Sequence, residues 1–285
     1  MDLQDWIGKQ QKQSDSMSPE MMQQFNVVMD VDPLEHTAGD PIPPCAHFFY
    51  FTPRTLASEM GADGHAKLGG FLPPVDLPRR MWAGGVVRIK SALKTAQPAT
   101  KTSVIKNIEY KSGRSGQLCF VTVNHQIESA GVVCIDEDQH IVYREAHTGG
   151  PPTRTQPFSS STDWTTQWTP DEIELFRFSA ITFNGHRIHY DLPYTRDVEG
   201  YSGLVVHGPL MLHKMLQAFR NNHPGRCITS LSYRAVGPVI CGETVNIVGS
   251  TQSDGANPYS GVSNTFIVGP EGNLAMQAEI HWEGA

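Results

Sequence analysis

No stretch of the 285-residue chain is apolar for long enough to cross a bilayer as a helix, so no membrane partner is expected. Cysteine is scarce. The five, Cys45, Cys119, Cys134, Cys227 and Cys241, are widely scattered without a CxxC spacing, which argues against a disulfide framework and against a cysteine-held structural zinc. Positive charge is short as well. Lys and Arg number 22 against 29 Asp and Glu, and the net charge of -7 comes without any basic stripe, so nucleic acid is not an expected partner. The first residues carry Asp2 and Asp5 and lack an apolar core. Neither a secretory signal nor a transit peptide is read there, and a reducing cytoplasm is the expected compartment.

What the chain does have is one order of elements given twice. The first passage opens with Ser18-Pro-Glu20 and then Met21, Met22, Phe25, Val28 and Met29. The second opens with Thr169-Pro-Asp-Glu172 and then Ile173, Leu175, Phe176 and Ile181. Both read as helix starts with a capping hydroxyl, proline at the first helical position and acidic residues in the first turn. Extended segments follow each, rich in β-branched and aromatic residues, such as 118–127 and 274–282. Between the passages, residues 146–169 are dense in Gly, Pro, Ser and Thr and read as a linker. The expected organisation is an α+β half over 1–145, the linker over 146–169, and a second α+β half over 170–285.

The second half carries the chemistry. Asn184 and His189 stand five residues apart, and downstream Val205-Val-His207-Gly208 leads into the apolar helical pattern Leu210, Met211, Leu212, Met215, Leu216 and Phe219. A neutral imidazole is a ready general base. A glycine opening a helix offers unpaired backbone N–H groups at the positive end of the helix dipole. A lone histidine near an apolar helix is ordinarily a core residue, and Asn184 before Gly185 reads equally as a helix C-cap; His207 reads more readily as a packing or capping residue than as a ligand. Histidines 186, 189, 207 and 213 lack a carboxylate or cysteine at ligand spacing, so no metal site is expected. In the first half, Asp30, Asp32 and His36 form a rival centre, and Ala46-His47 stands where the second half has His207-Gly208.

The set Asn184-Gly-His-Arg-Ile-His189-Tyr-Asp191 followed by Val206-His207-Gly208 resembles the MaoC-type hydratases and dehydratases of acyl thioesters. Gly70-Phe-Leu-Pro-Pro-Val75, Pro78-Arg-Arg-Met-Trp-Ala-Gly-Gly85, Gly113-Arg-Ser-Gly116 and Ile141-Val-Tyr-Arg-Glu145 are similar to the N-terminal half of the subgroup with two hot-dog units. That subgroup includes itaconyl-CoA and mesaconyl-C4-CoA hydratases and the type 2 hydroxyacyl-thioester dehydratases. The resemblance implies a double hot-dog fold, two curved antiparallel sheets each wrapped around a central helix, with the first half lining an acyl pocket and the second catalysing. It implies hydration or dehydration of an acyl-CoA, most plainly a C4 or C5 dicarboxylic one, without a cofactor, since CoA is part of the substrate. The alternatives are a 3-hydroxyacyl-thioester dehydratase of fatty-acid metabolism, a hot-dog thioesterase and a non-catalytic acyl-CoA-binding protein. A homodimer is compatible with all of them.

Within that resemblance His189 is the base, Asn184 the water-holder and the N–H of Gly208 the enolate donor. Single-domain relatives carry aspartate at the position of Asn184. An amide cannot exchange a proton near neutrality, which leaves the donor of the α-proton unassigned. Asp191 is a candidate orienter of the imidazole. Arg79, Arg80 and Arg187 are candidates for the substrate's phosphates or carboxylate, with His207 as a further substrate contact.

Overall fold

Alternation of apolar and polar residues at period two builds long antiparallel strands in both parts of this chain. The computed structural model describes residues 2–32, 36–113, 116–145, 156–255 and 257–284. It divides into two units, Met1–Gly149 with Ile181–His186, and Gly150–Ala180 with Arg187–Ala285.

In the first unit, β1 (Gln10–Asp15), β2 (Arg79–Ile89), β3 (Ala99–Gly113), β4 (Gly116–Ser129) and β5 (Val132–Arg144) are ordered β1-β3-β4-β5-β2, each pair antiparallel. Alternate residues Cys119, Val121 and Val123 of β4 join Ile105, Ile108, Ile141 and Tyr143 in one core, which Val75, Leu77, Leu68, Phe71 and Leu72 cover. The Gly/Pro-rich passage around Phe71 is therefore a lid of chain over the sheet. Helix α1 (Pro19–Val28) has proline in its first turn as expected, but the Ser18 hydroxyl bonds the Glu20 carboxylate and makes no backbone cap. It buries Met22 and Phe25, and the Phe25 ring lies 4.8 Å from that of Phe49.

Ala46-His47 opens only a 3-10 turn, Ala46–Phe49, entered through Cys45 at φ 64. Phe51, at φ 56, and Pro53 beyond it stop any continuation. His47 is tied instead to the sheet, its Nε2–H donating to Glu137 Oε2 at 2.9 Å with both side chains almost wholly buried.

The second unit holds β6 (Trp164–Trp168), α2 (Glu172–Thr182, whose last turn enters the first unit), α3 (Leu192–Asp197), α4 (Gly208–Asn222), β7 (Cys227–Ala235), β8 (Val245–Ser253), β9 (Ser260–Val268) and β10 (Leu274–Glu283). Its strand order is β7-β10-β9-β8-β6, antiparallel throughout. Helix α4 lies against β8, β9 and β10 and buries Leu212, Met215, Leu216 and Phe219. Burying a leucine or phenylalanine side chain contributes roughly 1.5–3 kcal/mol, so this helix is the principal core element of its unit.

Two expectations about the middle of the chain are corrected. Residues 146–155 of the expected linker lie outside the described residues, but its end is structured: Pro157 bridges Asn273, and Trp164–Trp168 pairs with β8. The Ser/Thr run around these tryptophans masks a strand made possible by Gly249, whose missing side chain leaves room for the Trp164 ring. Helix α2 is capped by Asp171, whose Oδ1 accepts the Glu174 N–H at 2.7 Å, while Thr169 bonds Thr244. Among the described residues no helix is long and apolar enough to cross a membrane.

Candidate active site

The chain leaves α2 through Phe183, at φ 51, a left-handed residue that ends the helix. Asn184 is thus not its C-cap. Its Oδ1 accepts the backbone N–H of His186 at 3.0 Å, an Asx turn that opens the next bend. One carbonyl lone pair is engaged locally, so the amide NH₂ is the better placed group for holding an external oxygen. A 3-10 turn, Arg187–His189, follows and delivers His189 into the second unit at 7% exposure.

There the segment 205–206 clamps it. Val205 donates its N–H to the Ile188 carbonyl at 2.9 Å, and its own carbonyl oxygen stands 2.7 Å from His189 Nδ1. A carbonyl can only accept, so Nδ1 carries a proton, and in the neutral imidazole the lone pair then lies on Nε2. Asp191, the expected orienter, is occupied otherwise. Its Oδ2 takes Arg187 Nη2 at 2.7 Å and Nε at 2.9 Å, while Oδ1 caps α3 by accepting the Tyr194 N–H. Those bonds hold its carboxyl below the ordinary range, the Tyr194 N–H foremost and the Arg187 guanidinium next. Arg187 also lies over the Tyr194 ring at 4.0 Å, with 37% of its side chain exposed.

His207, named from the sequence as a further substrate contact, is 1% exposed. Its ring stacks on His189 at 3.6 Å and 20°, faces Phe178 at 4.8 Å, and shares a hydrogen bond of 2.8 Å between Nε2 and Ser179 Oγ. Phe178 and Ser179 come from one turn of α2, so that helix positions His207 and His207 backs His189. As N-cap of α4, His207 is followed directly by Gly208 at the helix start, with Pro209 contributing no N–H. The Gly208 N–H therefore stands at the positive end of a fifteen-residue helix.

In the first unit, Arg79 is buried at the start of β2 and faces Arg144 across the β2–β5 ladder. Arg80 lies within electrostatic reach of Asp63, His65 and Tyr143. Asp63 and His65 were not singled out from sequence, yet with His186 they form a cluster whose ligand-type atoms all lie within 4.8 Å of one another. The spacing Asp-Gly-His in a glycine-rich turn was the available signal. Of the rival centre, Asp30 adopts φ 58 in the turn after α1, and the backbone carbonyls of Asp32 and His36 accept from the Asn26 and Gln23 side chains.

The family model described as hydroxyacyl-thioester dehydratase type 2 matches residues 45–241. The chain is 39% identical over 284 residues to mesaconyl-C(4)-CoA hydratase of Chloroflexus aurantiacus, covering 98% of this chain and 97% of that protein. Among solved structures it is similar to a MaoC-like dehydratase, with TM-score 0.72 and 12% identity over the whole of both chains. A Mycobacterium tuberculosis protein described as having a double hotdog fold aligns with TM-score 0.64 and 9% identity, over 98% of this chain and 96% of that one. The fold is accordingly an α+β double hot-dog.

Proposed function

The chain belongs to the hydroxyacyl-thioester dehydratase type 2 family, and from that premise we propose that it is a hydro-lyase acting on the double bond conjugated to a CoA thioester. The acyl group we assign is a C4 or C5 dicarboxylic one of the mesaconyl or itaconyl kind. Full-length similarity to mesaconyl-C(4)-CoA hydratase supports that choice. The observation that carries the catalytic reading is the fixed tautomer of His189, with Nδ1–H given to Val205 and a lone pair left on Nε2.

In the hydration direction, Nε2 of His189 takes a proton from water as the water oxygen bonds to the β-carbon, a contribution of about 10²–10⁴-fold for a positioned base. Asn184 donates an amide N–H to that oxygen and holds it in line. Electron density moves onto the thioester oxygen, where the Gly208 N–H receives it; losing such a donor costs on the order of 3 kcal/mol. Arg79, Arg80 and Arg187 are our candidates for the substrate's carboxylate or phosphates. The reaction is redox-neutral, and CoA arrives as part of the substrate. The first half is assigned the acyl pocket, the compartment is taken as the cytoplasm, and a homodimer fits this reading.

His189→Ala is expected to abolish hydration while circular dichroism stays native; near-normal turnover by that variant would sink the assignment. A second reading, dehydration of 3-hydroxyacyl thioesters, is favoured by the family model itself. Faster turnover of a saturated-chain 3-hydroxyacyl-CoA than of a dicarboxylic one decides for it. Release of free thiol would instead mark a thioesterase, and saturable binding without turnover a carrier.

A further inference from the structure

Along the chain His186 has no carboxylate at ligand spacing, but the fold brings it one. Asp63 and His65 come from a glycine-rich turn of the first unit, and His186 closes the Ile181–His186 segment of that same unit. One carboxylate oxygen and two ring nitrogens from these residues all lie within 4.8 Å of one another. Ligands about 2.0–2.2 Å from one zinc ion stand roughly 3.5 Å apart in a tetrahedral arrangement, so the widest pair has to close by no more than about 1.3 Å. Side-chain rotation covers that distance.

Both supports of the set are fixed by backbone bonds. In the turn, Gly61 N–H bonds the His65 carbonyl at 2.6 Å, Gly64 N–H bonds the Gly61 carbonyl at 3.1 Å, and Met60 bridges Ala66. Asp63 adds a side-chain hold, its Oδ1 accepting the His65 backbone N–H at 3.0 Å. On the other side, the Asx turn of Asn184 fixes the backbone of His186. The two supports touch: a Cβ at Gly185 would stand 2.9 Å from the Gly64 carbonyl oxygen, and the His65 and His186 rings lie 4.0 Å apart at 38°. The ligands are thereby held near one point before any ion arrives, which is what a metal site needs of its scaffold. The set is also reachable from solvent, with 29% of the Asp63 side chain and 24% of that of His65 exposed.

We propose that Asp63, His65 and His186 bind one divalent transition-metal ion, zinc foremost, which staples the 184–186 turn to the 61–66 turn. Two imidazoles and a carboxylate suit zinc and its neighbours, whereas calcium and magnesium take oxygen ligands. Arg80, whose charge reaches Asp63 and His65, opposes every cation there, so the site favours an ion that bonds strongly to imidazole nitrogen. Asp63 Oδ2 stands 2.8 Å from His65 Nδ1, slightly closer than two ligands on one ion. Zinc therefore takes the place of the proton between them, and that proton leaves to solvent. Three protein ligands leave the fourth zinc position to water. The role is structural and independent of the hydro-lyase reading, and its readouts do not involve turnover.

Full-length protein is dialysed against a chelator and titrated with zinc chloride by calorimetry. Wild type is expected to bind one zinc per chain with a Kd in the micromolar range or below, and to melt a few degrees higher with zinc in excess. Magnesium at the same concentration is expected to leave the melt unchanged. His186→Ala and Asp63→Asn are each expected to weaken zinc binding by at least about tenfold, while His281→Ala, at an exposed histidine of the second unit, leaves it as in wild type. Hydrogen exchange followed by mass spectrometry reads the site without a substitution: zinc is expected to slow exchange at 61–66 and 184–186. Absence of saturable binding by wild type overturns the proposal. So does zinc binding that survives in both folded variants, which would mark scattered surface histidines. Should the variants fail to fold, zinc that protects neither segment of wild type overturns it equally.

Discussion

Ser179→Ala tests whether His189 is held from behind. Ser179 Oγ and His207 Nε2 share a hydrogen bond of 2.8 Å, and both residues are buried. The substitution removes one oxygen and little volume, so its effect is the loss of a hydrogen bond around an imidazole that water cannot reach. That costs about 1–3 kcal/mol. The kinetic consequence follows from the stack: His189 rests on His207 at 3.6 Å, and a misplacement of about 1 Å at a reacting group can cost on the order of 10² in rate. Urea unfolding is expected to show a lower midpoint at unchanged slope, and steady-state hydration a kcat lower by about ten- to a hundredfold with KM near wild type. Ser179→Ala combined with His207→Phe keeps an aromatic platform and removes both polar partners, so the double variant should recover most of the lost stability. Wild-type stability and kcat in the single variant, or additivity of the cycle within about 0.5 kcal/mol, would refute the reasoning.

Gly185→Ala places a methyl 2.9 Å from the Gly64 carbonyl oxygen, an atom that cannot swing aside, and is expected to cost about 1–3 kcal/mol in a thermal melt and to lower turnover. Burial holds His125 down at about 4, against an opposing pull from Glu137, with Ser103 bonded to its Nδ1 at 2.8 Å. Its folded-state value is depressed, so the stability it contributes is complete above about 6.5 and is lost as pH falls toward 4; His125→Gln should flatten the urea-midpoint profile between pH 6.5 and 5, where carboxylates hardly titrate. Glu137 is also held low: burial raises it, but the His47 hydrogen bond and neighbouring positive charges lower it more. Its contribution is present above its unfolded value near 4.5 and lost below it, and Glu137→Gln, which leaves His47 in a buried site without its carboxylate, is expected to destabilise at pH 7 by a few kcal/mol in chemical unfolding, on the order of 3.

Much of this was legible in the residues because the signals were local. Gly208 followed by an apolar 3.6-residue period predicts α4, and α4 runs Gly208–Asn222. Proline at the start of α1 and alternation along β4 are of the same kind. What escaped depends on partners distant in sequence. The orienter of His189 is a backbone carbonyl at residue 205, which no side-chain pattern announces, and the adjacent Asp191 was the more visible but wrong choice. Ser179 reads as one more polar residue on an amphipathic helix until His207 is brought to it. Ala46-His47 corresponds to His207-Gly208 in the repeat, but Phe51 and Pro53 stop a helix there by conformation, and His47 is held instead by the buried pair with Glu137. The Trp164–Trp168 strand was hidden by the Ser/Thr-rich composition around it.

Six residues, Ile181–His186, belong to the first unit although they follow β6 and most of α2 in the chain. During synthesis, strands β1 to β5 can emerge and pair, yet the Gly61–His65 turn lacks its docking partner until residue 186 has been made. A fragment cut anywhere in 146–169 would keep those five strands and lose the His65–His186 stack and the Gly64–Gly185 contact. The two halves are therefore not interchangeable cassettes: shuffling them between related proteins at that stretch would join a turn from one parent to a dock from the other.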